Sequence, residues 1–205
     1  ATIEDFSQNN PHLNIRLFRK KSNRSQARNF AAKQTKAQYL ALTDAGSQLD
    51  RFWLEELTKE LVKSGKKVVG GHFRGNSQTR FEAAVVPYFL QLTKNLNAKN
   101  FMPTTRSLLI ERKLWECVGG LNEKLELSED YQLMLRLKQQ KIKFAFAKKA
   151  LVIWEPPHTW IAFLKITAAF AKSDLEAGIV RPKVVLIFLR YFLFMILFLS
   201  LPPIY

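Results

Sequence analysis

The segment Tyr39-Leu40-Ala41-Leu42-Thr43 constrains the fold more than any other part of the sequence. It is short and almost wholly apolar, and the turn sequence Asp44-Ala45-Gly46-Ser47 follows it at once. Such a run predicts a strand buried on both faces, and strands of this kind lie in sheets that are covered by helices. We therefore expect an α/β protein.

Strand-like and helix-like patterns alternate along the rest of the chain. The predicted strands are 13–17, 39–43, 68–73, 105–110, 142–147 and 151–154. The predicted helices are the end of one over 1–7, one over 25–36 capped by Ser25, one with Leu54, Leu57 and Leu61 on a single face, and one over 79–92. Further along, one helix stops at Gly119-Gly120, one capped by Ser128 runs to about 140, and one spans 159–178. Residues 95–100 read as a polar loop. This order predicts a mostly parallel sheet flanked by helices.

The C-terminal part carries a long apolar run. Residues 184–201 form eighteen positions with one charge, Arg190, a length that suits a helix crossing roughly 30 Å of hydrocarbon. A buried or interfacial helix is the alternative, because a charge at mid-bilayer is costly. The chain thus divides into a globular domain over 1–157, an amphipathic interfacial helix over 158–180 and a transmembrane segment over 184–205.

The net charge of +15 favours a polyanionic neighbour. That neighbour is nucleic acid, an anionic membrane leaflet or a phosphorylated substrate. The chain has no basic helix with interleaved aromatic residues and no zinc or helix-turn-helix pattern, so we expect no nucleic-acid partner. Arg181 and Lys183 precede the apolar run, which predicts a membrane location with the globular domain on the cytoplasmic side.

Asp44 is the first candidate site residue. In an open α/β sheet, ligands gather at the carboxyl ends of the strands, where this aspartate lies. A carboxylate there suits Mg²⁺ or Mn²⁺ held against a diphosphate. Ordinary turn chemistry explains the same sequence, so Asp44 alone decides nothing.

Glu129 and Asp130 form the second candidate site. They begin a predicted helix, and the positive end of the helix dipole keeps a carboxylate ionised, as a base accepting a hydroxyl proton requires. Adjacent acids in a first turn also occur simply as complements of that dipole.

The order and spacing of the two motifs resemble those of the inverting nucleotide-sugar glycosyltransferases with the GT-A fold, often called family 2. The similar stretches, which together span residues from about 13 to 155, are Ser25-Gln26-Ala27-Arg28-Asn29, Tyr39-Leu40-Ala41-Leu42-Thr43-Asp44-Ala45-Gly46, Leu49-Asp50-Arg51-Phe52-Trp53-Leu54, Trp115-Glu116-Cys117-Val118-Gly119-Gly120-Leu121-Asn122-Glu123, and Glu129-Asp130-Tyr131-Gln132-Leu133 with Arg136-Leu137.

The resemblance implies a role for each matching residue. Asp44 corresponds to the first aspartate of the metal-binding Asp-x-Asp turn, and Asp130, with Glu129 beside it, corresponds to the base that deprotonates the acceptor hydroxyl. The implied partners are a nucleotide-sugar donor, a glycan or lipid-linked acceptor and Mg²⁺ or Mn²⁺. Arg28 or Arg24 is a candidate for binding the sugar diphosphate. For both, a solvated basic face or a patch on anionic lipid is the alternative.

The sequence departs from the family pattern in three places. Gly46 stands where the second aspartate of the metal turn is expected. The Gln-x-x-Arg-Trp signature of processive polysaccharide synthases is missing from 159–178, which argues against a synthase of that type. Residues 1–10 resemble the helix after the family's second strand, so we expect roughly the first forty to fifty residues of a usual domain to be absent from this sequence.

Three further residues have weaker functional interpretations. His158 is a candidate metal ligand, although a surface or capping histidine is more usual. Trp154 and Trp160 are candidates for stacking on a sugar, but aromatic residues near a membrane more often anchor at the interface. Two functions stay open: a glycosyltransferase that modifies a lipid-linked or cell-envelope glycan, and a non-catalytic membrane-associated module. Gly46 and the expected missing strands favour the second.

Overall fold

The computed structural model describes residues 2–90 and 101–200. Its strands are β1 Tyr39–Thr43, β2 Gln48–Leu49, β3 Val68–Gly75, β4 Ser107–Glu111 and β5 Ala145–Trp154. Its helices are α1 Ile3–Asn9, α2 Arg24–Lys33, α3 Trp53–Ser64, α4 Arg80–Phe89, α5 Arg112–Cys117, α6 Glu129–Gln139, α7 Trp160–Glu176 and α8 Pro182–Ser200. The predicted loop over 95–100 and the last residues of the predicted helix over 79–92 lie outside this part of the chain.

The described strands form one mixed sheet in the order β1-β4-β3-β5-β2. Only the β3–β5 pair is parallel among the described pairings; β1–β4, β3–β4 and β2–β5 are antiparallel. The prediction of an α/β fold is confirmed, but the prediction of a mostly parallel sheet is wrong. β1, β3 and β5 do run in one direction, yet β4 lies between β1 and β3 and runs the opposite way. Helical periodicity in the intervening segments does not reveal such an insertion.

β1 lies at one edge of the sheet. Of its five residues only Leu40 is buried, while Ala41 and Thr43 are exposed. The prediction that this strand is buried on both faces is therefore wrong for the described chain. An apolar run of five residues does not distinguish an edge strand from a central one.

Helices cover both faces of the sheet. On one face α5 and α6 contribute Trp115, Leu133 and Leu137 to a cluster that also holds strand residues Val68 and Ile110. On the other face α3 contributes Trp53 and Leu57, which pack with strand residues Val69, Leu109 and Val152. Neighbouring residues of β3 and β4 thus point to opposite layers, as the period of a strand requires. Each fully buried leucine contributes about 1.5–3 kcal/mol to stability.

Several local predictions near the N-terminus needed correction. α2 is capped by Asn23, whose side chain accepts a hydrogen bond from Gln26 N, whereas Ser25 is buried and donates to Leu125 O. Residues 14–23 form no strand, so the strand predicted over 13–17 is not found. The alternation around Leu13 and Leu17 reflects partly exposed extended chain, since each side chain is more than 40% exposed.

α7 and α8 extend the chain beyond the sheet. α7 rests on α4 through aromatic contacts, among them Tyr88–Phe163 and Phe89–Phe170. Many apolar side chains of α8 are exposed, including Phe188, Tyr191 and Phe192. Within residues 2–90 and 101–200, no helix has the length and apolar character needed to cross a membrane, so the transmembrane segment predicted over 184–205 is not supported.

Candidate active site

Asp44 lies where β1 ends and the chain turns. Ser47 N donates to Asp44 O at 3.2 Å, and Gly46 has φ +83°, in the left-handed region that glycine adopts without strain. The predicted position at the carboxyl end of a strand is therefore confirmed. Gly46, which stands in place of a second aspartate, supplies the left-handed backbone conformation of this turn.

Arg28 joins the two predicted acidic motifs. It projects from α2, and its Nη1 donates to Glu129 Oε1 at 2.7 Å while its Nη2 pairs with Asp44 Oδ1. Glu129 is 5% exposed, so the guanidinium compensates a carboxylate that has little contact with water. Arg28 and Glu129 are 101 residues apart in sequence, and the fold brings both to Asp44. Arg24, the alternative candidate one turn earlier, is exposed.

Arg106 is a site residue that sequence reasoning missed. Its Nε lies 3.4 Å from Asp44 Oδ2, and its guanidinium carbon lies 5.5 Å from the centre of the Trp154 ring. Arg106 directly precedes β4, whose first residue Ser107 pairs with Thr43 at the end of β1. This placement depends on the antiparallel β1–β4 pairing. If β4 ran parallel to β1, its first residue would lie at the opposite end of the strands from Asp44. The sequence therefore carried no signal for Arg106.

Asp130 and Glu129 begin α6, as predicted, and both carboxyl groups have raised pKa values. Loss of solvation is the main cause for each; the neighbouring Asp130 charge raises the pKa of Glu129 further. Arg106 and Arg28 lower the pKa of Asp130 and so oppose the effect of burial. Tyr131 N donates to Asp130 Oδ1 at 2.7 Å.

The Gly119-Gly120 pair is held next to this site by α2 and α6. Asn29 Nδ2 donates to Leu121 O at 2.8 Å, and Leu121 N donates back to Asn29 Oδ1 at 2.9 Å. Arg136 donates to Gly120 O from the other side. A Cβ on Gly120 would lie 2.4 Å from Asn29 Oδ1, and its φ is +64°, so glycine is needed here for both reasons.

Comparison with family models adds a finding that decides the classification. The model described as glycosyl transferase family 2 matches residues 1–119, more than half of the 205-residue chain. The chain belongs to glycosyl transferase family 2. The sequence resemblance is thereby confirmed, and the matched region contains Arg28, Asp44 and Arg106. Asp130 and Glu129 lie beyond the matched region.

Solved structures of glycosyltransferases share the fold. The mannosyltransferase PcManGT from Pyrobaculum calidifontis, in complex with GDP-Man and Mn²⁺, aligns with a TM-score of 0.65 at 14% identity over 85% of this chain and 48% of that chain. S. aureus TarS 1-349 in complex with UDP-GlcNAc aligns with a TM-score of 0.57 at 12% identity over 87% of this chain and 55% of that chain. This family 2 chain thus spans about half the length of those structures and has a GT-A-like fold. A comparison with curated proteins finds no match.

The donor atoms around Asp44 limit how this family 2 chain would hold a metal. Within the described ranges, no group of three or more His, Cys, Asp and Glu residues is placed to bind an ion. Asp44 supplies one carboxylate, and guanidinium groups approach both of its oxygens. One carboxylate fits Mg²⁺ or Mn²⁺ when the ion takes its other ligands from diphosphate oxygens and water. Asp44 is then the residue that would hold it.

Of the three weaker candidates, His158, Trp154 and Trp160, only Trp154 contacts a described site residue. His158 Nδ1 lies 2.8 Å from Glu82 Oε1, and Glu82 also accepts hydrogen bonds from the backbone at the start of α4. His158 therefore supports a helix cap, and its predicted role as a metal ligand has no support in this geometry. Trp154 lies beneath Arg106 at the site, whereas Trp160 packs on Phe81 at the surface.

Proposed function

We propose that this chain transfers a sugar from a nucleotide-sugar donor to a lipid-linked or cell-envelope glycan acceptor, with inversion at the anomeric carbon. The observation that carries the proposal is the bridge made by Arg28 between Asp44 and Glu129. It unites the metal-turn aspartate with the acidic pair of α6 in a chain whose family transfers sugars.

The donor half of the site consists of Asp44, Arg28 and Arg106. A diphosphate is a strong anion, and two guanidinium groups beside Asp44 supply the fork-shaped donors that bind phosphate oxygens. A divalent cation on Asp44 would neutralise charge on the departing nucleoside diphosphate. The solved relatives in complex with GDP-Man and Mn²⁺ and with UDP-GlcNAc support a donor of this class.

The acceptor half of the site is Asp130. Its carboxylate takes the proton of the acceptor hydroxyl, the hydroxyl oxygen bonds to the anomeric carbon, and the bond from that carbon to the diphosphate oxygen breaks on the opposite face. A single displacement of this kind inverts the anomeric centre. Burial raises the pKa of Asp130, so its ionised carboxylate is a stronger base than that of a solvated aspartate.

The location that fits this function is the cytoplasmic face of an inner or plasma membrane. The exposed apolar side chains of α8 and the chain's net charge of +15 support attachment to an anionic leaflet. A lipid-linked acceptor lies at the same surface. The apolar helix would then serve to hold the active site near its acceptor.

One observation favours the second candidate function, a non-catalytic membrane-associated module. Both oxygens of Asp44 face arginine side chains, so the carboxylate is satisfied without a metal or a donor. A site that has lost its substrate would retain such an arrangement for stability alone.

Donor titration separates the two functions. We would titrate GDP-mannose, UDP-GlcNAc and dTDP-glucose, each with Mn²⁺, into the detergent-solubilised chain by calorimetry and compare Asp44→Asn with Asp50→Asn. Asp50 is exposed, lies six residues further along, and accepts a hydrogen bond from Phe52 N that asparagine also accepts. Metal-dependent binding that is lost only in Asp44→Asn supports the transferase. Absence of binding in the unmodified chain supports the non-catalytic module.

A further inference from the structure

The residue before α6 is bound to the C-terminal end of α7. Ser128 Oγ donates to Asp174 Oδ1 at 2.6 Å, and Ser173 Oγ donates to Leu127 O. Arg181 completes the group, since its Nη2 donates to Asp174 Oδ1 at 2.8 Å and lies 3.3 Å from Ser128 Oγ. We call Ser128, Ser173, Asp174 and Arg181 the α6–α7 clamp. It ties residues that are more than 45 positions apart in sequence.

Ser128 adopts a backbone conformation that needs such support. Its φ and ψ are +59° and +7°, in the left-handed region, which costs a non-glycine residue about 1–2 kcal/mol. The sequence predicted that Ser128 caps α6. Ser128 does precede the helix, but its side chain makes no cap hydrogen bond and is directed to Asp174 instead. The start of α6 is therefore set by tertiary contacts.

The clamp also touches the first turn of α6 directly. The guanidinium carbon of Arg181 lies 4.5 Å from the centre of the Tyr131 ring, a cation–π distance. The side chains of Asp174 and Arg181 are 13% and 34% exposed, so their ion pair is shielded from solvent. Glu129 and Asp130 lie between Ser128 and Tyr131, and the clamp holds both ends of that pair.

We propose that the α6–α7 clamp is a positioning device that holds the first turn of α6 so that the carboxylates of Glu129 and Asp130 face Arg28 and Asp44. The proposal rests on the proposed function in one respect, the use of Asp130 as a base. Its structural content is independent of that use. Arg181 also directly precedes Pro182, the first residue of α8, so the clamp connects the exposed apolar helix to the site.

Hydrogen exchange tests the structural content. We would compare the full detergent-solubilised chain with Arg181→Met, Asp174→Asn and Arg181→Lys by exchange mass spectrometry. The matched control is Lys172→Met, because Lys172 pairs with Glu176 on the same helix while its side chain is 79% exposed. Loss of a shielded, charge-assisted contact should speed exchange at residues 129–132 about tenfold in Arg181→Met. Arg181→Lys should fall between, because lysine keeps the charge but lacks the fork.

The outcomes divide cleanly. Faster exchange at 129–132 in Arg181→Met, with unchanged exchange in α3 and in Lys172→Met, supports the clamp; equal exchange at 129–132 in all variants overturns it. Should Arg181→Met also loosen α3, the milder Asp174→Asn decides by the same criterion.

Turnover tests the functional content. With GDP-mannose or UDP-GlcNAc and Mn²⁺, a positioning role predicts that Arg181→Met lowers kcat about tenfold and leaves the donor KM unchanged. The contacts described for Arg181 are with Asp174, Ser128 and Tyr131, and not with the donor-half residues Arg28, Asp44 and Arg106. An unchanged kcat, in a chain where Asp130→Asn is inactive, would overturn the positioning role alone. Full activity in Asp130→Asn would instead overturn the proposed function, while the exchange result would still decide the clamp.

Discussion

Globular proteins usually leave charged groups in water and bury large apolar ones. The site departs from the first rule, and the C-terminal arm, α7 with α8, departs from the second. At the site, ionisable groups are withdrawn from water: Glu129 is 5% exposed and pairs with Arg28. On the arm, large apolar side chains are left in water: Phe188 is 72% exposed and Trp160 is 66% exposed. A buried charge and an exposed apolar surface are each informative, because each costs free energy unless a partner compensates it.

The two regions differ in how that cost is met. The site compensates its charges internally, since Arg28 and Arg106 neutralise Asp44 and Glu129 within the chain. The apolar side chains of the arm named above stay exposed within the described part of the chain, and our proposal assigns their cover to a membrane surface. The site should therefore be sensitive to single substitutions, and the arm should be sensitive to its surroundings.

The largest expected effect is on turnover at the site. Asp130→Asn removes the base but keeps the shape of the side chain, so kcat for sugar transfer should fall about 10²–10⁴-fold. Release of nucleoside diphosphate from GDP-mannose or UDP-GlcNAc measures this rate. Asp5→Asn, an equivalent change on exposed α1, should leave it unchanged. Equal rates in Asp130→Asn and the unmodified chain would show that Asp130 is not the base.

The next effect is on stability, through the internal compensation of charge. Arg28→Met leaves Asp44 and Glu129 without their shared cation, and the free energy of unfolding at pH 7.5 should fall by about 1.5–3 kcal/mol. Arg24→Met, one turn earlier and exposed, is the control and should change it little. Urea denaturation followed by tryptophan fluorescence measures both.

The pH dependence of this loss follows from the raised pKa values. Burial raises the pKa of Glu129 and of Asp130, so above the ordinary carboxyl range the folded chain still binds protons that the unfolded chain has released. Stability therefore decreases as pH rises through that window. Arg28 opposes the rise for both groups, and its removal should widen the window. The loss in Arg28→Met should shrink at pH 4; a loss independent of pH would contradict a role in neutralising charge.

The sequence predicted the residues of the site better than their arrangement. Asp44, Glu129 and Asp130 were found because a strand end and a helix start are visible in local patterns, and Arg28 because it belongs to a family-like stretch. Arg106 was missed because its position depends on the antiparallel β1–β4 pairing, which no local pattern encodes. The clamp was missed for a related reason. Serine is a common helix cap, and only the folded structure shows that the Ser128 hydroxyl donates to the distant Asp174 instead.

The smallest expected effect concerns the arm and its external partner. If α8 lies against a membrane, Phe188→Ser should lower the partition of the chain into phosphatidylglycerol-containing vesicles about three- to tenfold, since half-burying a phenylalanine side chain stabilises by about 0.75–1.5 kcal/mol. Val62→Ser on α3 is the control, because Val62 is equally exposed, at 76%, but lies on the globular domain. Partition should be stronger with anionic than with neutral lipid and should weaken with salt, because the chain carries +15. Equal losses in the two variants would mean that the arm is no more a membrane surface than α3 is. The contrast between a site that is compensated within the chain and an arm that is compensated by a membrane would then fail for the arm.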